Sequence, residues 1–253
     1  MTLLSRKARV AGLLYIVTSA VGYLRLIHID SLLVVGTSAS ATADNIAAHE
    51  TLFRWGMVSY LAAGVLFLFV TLALYRLLEV VDRTLAIIMV LLGGVMVTPL
   101  FFVNSLTDAG ALLFARGAPF LSAFDKPQRD AFVMMFLSLH HTIDLADSIF
   151  WGVWLIPFGL LVYRSRFLPR ILGIWLMMGC FAYLAFSLSG FLYPEYEDTV
   201  FAVGSPLRMG ELATMLWLLI VGARSQDEPQ RAASRERAPK PHEAGVPAAV
   251  ALQ

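Results

Sequence analysis

Apolar residues run in six long blocks, and each block is closed by a cluster of Lys, Arg, Asp or Glu. At a rise of about 1.5 Å per residue, about 20 mostly apolar residues carry a helix across a hydrocarbon core of about 30 Å. The blocks at 8–28, 54–76, 84–106, 132–163, 168–193 and 208–223 therefore predict six transmembrane helices. The fourth is too long for an upright crossing, and its first turns are expected to project beyond the membrane. Asp125, two residues before Pro127, marks a helix start, and Pro157 predicts a kink near the other end because proline has no backbone donor. Between the first two blocks, Thr42 is placed to cap a short helix carrying Ile46 and Leu52, which folds this loop onto the membrane surface.

Lys and Arg are divided unevenly between the two sets of loops. One side holds Arg6, Lys7, Arg9, Arg76, Arg83, Arg164, Arg166, Arg170 and Arg224; the other holds Arg54, Arg116, Lys126, Arg129 and Arg208. Basic loops stay in the cytoplasm, so both ends of the chain are expected there. Basic residues before the first block also resemble a secretory signal. The small-x-small site Ala39-Ser40-Ala41 lies too far past the apolar stretch for cleavage, so the first helix is expected to be retained. After residue 223 the composition turns to Gln, Asp, Glu, Pro, Arg, Lys and Ala without apolar period. The expected organisation is an all-α six-helix membrane domain over 1–223 and a disordered cytoplasmic tail over 224–253.

Composition supports lipid as the solvent: 58% of residues are apolar and 15% charged, too few polar groups to cover a soluble domain. A formal net charge of +1 leaves no basic face for nucleic acid. Cys180, the single cysteine, supports neither a disulfide framework nor a thiolate metal site. Arg9-Val-Ala-Gly12 matches Arg170-Ile-Leu-Gly173, and Phe53-Arg54-Trp55-Gly56 matches Leu207-Arg208-Met209-Gly210. This suggests a parallel repeat of hairpins, although Arg at helix ends and Gly at helix contacts produce the same match without one.

Ionisable groups within the blocks carry the candidate chemistry, because each needs a partner or a purpose in lipid. His140, Asp144 and Asp147 fall at i, i+4 and i+7 on one helical face, with His141 beside them and Trp151 one turn on. Two ionised carboxylates on one face repel, so a proton or a cation is expected between them. Counted from Arg164, this pair lies near the outer boundary, as do Glu211, Asn104, Asp108, Arg25, His28, Arg54 and Arg208. The simplest arrangement is a polar pocket in the outer half of the bundle. Mutual pairing of Arg25, Arg54 and Arg208 with Asp144, Asp147 and Glu211 is the structural alternative. A metal held by His140, Asp144 and Asp147 has suitable ligand types but no recognised spacing, and no cofactor is implied.

The basic residues before Gly12-Leu13-Leu14-Tyr15, the Ala43-Asp44-Asn45-Ile46 loop leading to Leu52-Phe53-Arg54, the run Arg164-Ser165-Arg166-Phe167-Leu168-Pro169-Arg170-Ile171-Leu172-Gly173, and Gly210-Glu211 followed by Leu216-Trp217-Leu218 belong together. In this order they resemble the uncharacterised bacterial membrane family called domain of unknown function 4386. The resemblance covers nearly the whole chain up to Gly222 and implies a bacterial multi-pass membrane protein with a Glu at the position of Glu211. It implies no activity.

Three functions remain open from sequence. Asp144, Asp147 and Glu211 would serve an intramembrane enzyme or binding site for a lipid-like amphiphile as acid, base or cation-holding groups, with His140 carrying protons; Arg25, Arg54, Asn104, Asp108, His141, Trp151 and Arg208 would line it. A non-catalytic scaffold or sensor is the second. A small-solute or proton carrier is the third, and the scarcity of ionisable groups in the inner half counts against it.

Overall fold

The computed structural model describes residues 3–36 and 38–223, without the side chains of 26–28. The expected tail at 224–253 and the His28 side chain lie outside the described residues. Every element described is helical. In chain order these are α1 (Leu3–Tyr23), α2 (Asp30–Leu33), α3 (Ala39–Ala48), α4 (Glu50–Leu78), α5 (Arg83–Met89), α6 (Met96–Arg116), α7 (Lys126–Val153), α8 (Leu155–Arg164), α9 (Arg170–Leu192) and α10 (Glu197–Ile220). A π turn at Leu24–Ile29 joins α1 to α2, and another at Val90–Val95 joins α5 to α6.

Four of these rods are long and apolar enough to cross a membrane: Glu50–Leu78, Arg83–Arg116, Lys126–Arg164 and Arg170–Leu192. The chain is thus built as a membrane protein. α1 and α10 complete the bundle, and each long rod packs on its predecessor: α1 on α4, α4 on α6, α6 on α7, α7 on α9, α9 on α10, with α10 returning to α1. The six rods form a closed ring. Gly12 makes the closing contact, since a Cβ there would lie 2.5 Å from the Leu219 backbone nitrogen. Small residues permit this approach of helix backbones where lipid offers no hydrophobic drive.

Prolines place the breaks. Pro157 cannot donate to the Val153 carbonyl four residues back, and α7 gives way to α8 around Trp154. Pro99 denies the Val95 carbonyl its donor in the same way, and the π turn ends at Val95. The expected start of the fourth rod is present: Asp125 caps α7 with a reciprocal bond to Gln128, and Pro127 occupies the first turn.

Two expectations are corrected. The last helix begins at Glu197, not at residue 208, so Arg208 and Glu211 lie inside it. A hydropathy pattern ends at charge, whereas a backbone helix continues through it; Glu197 and Asp198 favour the N-terminal dipole. The loop helix α3 is capped by Ser38, whose Oγ accepts from the Ala41 nitrogen, while Thr42 accepts from Val35 instead. This helix packs on α6 and α7 and buries Ala43 and Ile46. The matched arginines of the apparent repeat sit differently, Arg54 exposed and Arg208 buried.

Candidate functional site

α7 presents His140, Asp144 and Asp147 to the bundle, and the neighbouring rods supply their partners. Arg25 lies in the first π turn, where an extra residue per turn redirects side chains. It is 1% exposed and its guanidinium clasps Asp108 of α6 with Nε and Nη2 at 2.7 and 2.5 Å, while Nη1 reaches Asp30 at 2.6 Å. Phe53 covers its face at 5.5 Å. The fully buried Asp108 also faces His140, with Oδ1 3.0 Å from Nδ1. A hydrogen on Nδ1 is required to satisfy that contact, and Nε2 faces a second carboxylate, Asp144, so the ring stands between two acids.

Asp144 lies one turn further along. Its Oδ1 accepts from Asn104 Nδ2 at 2.6 Å and from the Tyr60 hydroxyl at 3.0 Å. Its Oδ2 lies 3.4 Å from His140 Nε2, an ionic contact without hydrogen-bond geometry. Asp147 Oδ2 accepts from the Trp151 indole at 2.9 Å. The ring of Trp151 packs at 4.6 Å on Phe67 and 6.2 Å on Phe101, and Phe101 in turn packs at 4.6 Å on Tyr60.

Glu211 belongs to a second cluster. Tyr15 donates a hydrogen bond to one carboxylate oxygen and Tyr183 a 2.8 Å bond to the other. Arg208 lies 4.0 Å over the Phe201 ring and within 6 Å of Tyr183 and Phe186, and its Nη2 donates to the Phe201 carbonyl and Ser205. Tyr15 packs on Phe67 and Trp154, so aromatic rings lie between the two clusters.

The polar groups thus form two centres where a single pocket was expected. The alternative of direct pairing is overturned as well: Arg25 pairs with Asp108 and Asp30, Arg54 with Glu50, and Arg208 with backbone and rings, so none binds Asp144, Asp147 or Glu211. Arg54 and His141 join neither centre; both are 53% exposed, and His141 pairs with Glu197. Asn104, Asp108, His140, Asp144, Asp147 and Trp151 come together. Tyr15, Tyr60, Tyr183 and Asp30 were missed. A phenol inside an apolar block was the available signal, since a buried hydroxyl needs an acceptor.

Several buried polar atoms lack a hydrogen-bond partner among the described residues: Asn104 Oδ1, His140 Nε2, Asp147 Oδ1 and Arg208 Nη1 belong to the two centres. No three His, Cys, Asp or Glu side chains among the described residues are disposed to hold one metal ion. A surface depression of about 520 Å³ lies elsewhere, lined by His49, Glu50 and Trp55 at the start of α4.

Among known proteins, one family matches over residues 10–222; its description is Domain of unknown function (DUF4386). Searches of the curated proteins and of the solved structures return no match.

Proposed function

This chain belongs to the DUF4386 family of unknown function, and from that footing we propose that it is a six-span protein of the bacterial cytoplasmic membrane that binds an amphiphile from the outer side. Both ends lie in the cytoplasm, with α1 and α10 as the two spans of lower hydropathy. The ligand's polar head enters a vestibule along the ring axis in the outer half of the bundle, bordered by Asn104, Asp144, Asp147 and Trp151. Its apolar part rests on the rings of Tyr60, Phe67, Phe101 and Trp151.

The exposure pattern around that axis carries this reading. On α7, Phe136 packs against Gly110 of α6, and Gly152 packs against Cys180 and Tyr183 of α9. Asp144 and Trp151 project between those two directions, toward the axis. The Asp144 side chain nevertheless keeps 28% of its surface and Trp151 is half-buried, while Tyr15, Phe67 and Trp154, one or two turns deeper, are sealed. An axis open above and closed below suits binding from one side and leaves a carrier without an inner path.

Substituted-cysteine labelling tests it. In a Cys180→Ala background, Asp144→Cys and Trp151→Cys should react with a membrane-impermeant thiol reagent added outside intact cells, and Trp154→Cys should not. Protection of the first two by a bound amphiphile is expected. Equal silence at all three positions would refute the open vestibule.

A further inference from the structure

The donors and acceptors around Asp144 do not balance. Asn104 Nδ2 and the Tyr60 hydroxyl both donate to Asp144 Oδ1, the Trp151 indole donates to Asp147 Oδ2, and His140 Nδ1 serves Asp108. Each of these four groups therefore already donates. Three acceptors remain: Asn104 Oδ1 and Asp147 Oδ1 have no hydrogen-bond partner among the described residues, and Asp144 Oδ2 has only the 3.4 Å contact to His140. Asn104 and Asp147 are each at least nine-tenths buried, so these are costly vacancies rather than surface groups open to solvent. The amide orientation of Asn104 follows from its 2.6 Å bond, because only the NH₂ can face a carboxylate.

We propose that these three acceptor atoms form a headgroup site for a primary ammonium carried on an apolar chain. The inference rests on the vestibule reading above and adds the ligand's charge and hydrogen-bonding class. A primary ammonium brings three N–H donors and a positive charge, and so meets the unmatched acceptors and the Asp147 carboxylate, whose hydrogen-bond partner is the Trp151 indole, together. Neither Asp144 nor Asp147 has Lys or Arg as a partner, whereas Asp108 has Arg25. Aromatic faces complete the match. Tyr60, Phe101 and Trp151 border the carboxylates, and an electron-rich ring face attracts a cation. An anionic or acceptor-only head would leave the vacancies unfilled and face two carboxylates.

Binding to the full-length protein in nanodiscs of zwitterionic lipid tests the proposal, with four ligands of equal chain length: dodecylamine, dodecyltrimethylammonium, dodecanol and dodecanoate. Dodecylamine should bind at least about tenfold more tightly than the trimethyl analogue, which keeps the charge but has no N–H, and than dodecanol. Dodecanoate should bind most weakly. Asp147→Asn should erase the preference while the protein still binds dodecanol. The wild-type series decides the matter even where that variant fails to fold. Equal affinity for all four heads would overturn the ammonium site and leave the amphiphile vestibule standing. Binding of none would remove both, and displacement of dodecylamine by millimolar sodium or magnesium would assign the acceptors to an inorganic cation instead.

Discussion

Replacing Asp108 tests how the outer polar centre is held together. Asp108→Leu strips Arg25 of two of its three hydrogen bonds and deprives His140 Nδ1 of its acceptor, all at fully buried positions. A buried charge left without its partner costs about 3–5 kcal/mol, and Arg25→Met should cost a similar amount by stranding the Asp108 carboxylate. Removing both partners leaves no stranded charge at this pair, and Asp30 is 42% exposed and can turn to solvent. The double variant still leaves His140 Nδ1 without its acceptor, so it should lose less than about 3 kcal/mol against about 6–10 kcal/mol for the singles summed, a coupling of at least about 3 kcal/mol. The assay is equilibrium unfolding in mixed micelles with increasing dodecyl sulfate, followed by helical circular dichroism. Single-variant losses that add within about 0.5 kcal/mol in the double variant would sink the argument, because independent sites behave that way.

The remaining predictions use other contacts. Gly12→Ala should cost about 1–3 kcal/mol, since its methyl would meet Leu218 and Leu219 backbone, whereas Gly22→Ala finds Ala63 at 3.6 Å and should be neutral or slightly stabilising; the same unfolding assay compares them. Tyr15→Phe should destabilise by about 1–3 kcal/mol by leaving one Glu211 oxygen without its donor, and a combined Tyr15→Phe with Glu211→Leu should recover part of that loss. Arg54→Ala and His141→Ala remove only exposed pairs and should each shift stability by less than about 1 kcal/mol. Mass spectrometry of the purified protein should find an amphiphile with wild type and not with Asp144→Asn plus Asp147→Asn; an empty wild type with a destabilised variant would make these acids structural ties.

Sequence alone determined the solvent and the rods. A backbone in lipid must satisfy its hydrogen bonds within helices, so long apolar blocks leave little choice of structure. The cap at Asp125 and the break around Pro157 are backbone effects of single residues, local enough to be read directly. The helical period likewise placed His140, Asp144 and Asp147 on one face. Helix ends that fall among charges were not legible, because hydropathy reports lipid contact and not backbone conformation. Glu197 as the start of α10 is the example. Partner choice belonged to tertiary structure altogether. Arg25 and Arg54 are both arginines near helix ends, yet one is enclosed by Asp108 and Phe53 and the other stays exposed beside Glu50. Which side a charge takes depends on the rotation of each rod and on a π turn that no periodic pattern reveals. The separation of Glu211 from Asp144 has the same origin: Tyr15, Phe67, Trp151 and Trp154 come from three different rods, and only closure of the ring brings them together between the two centres.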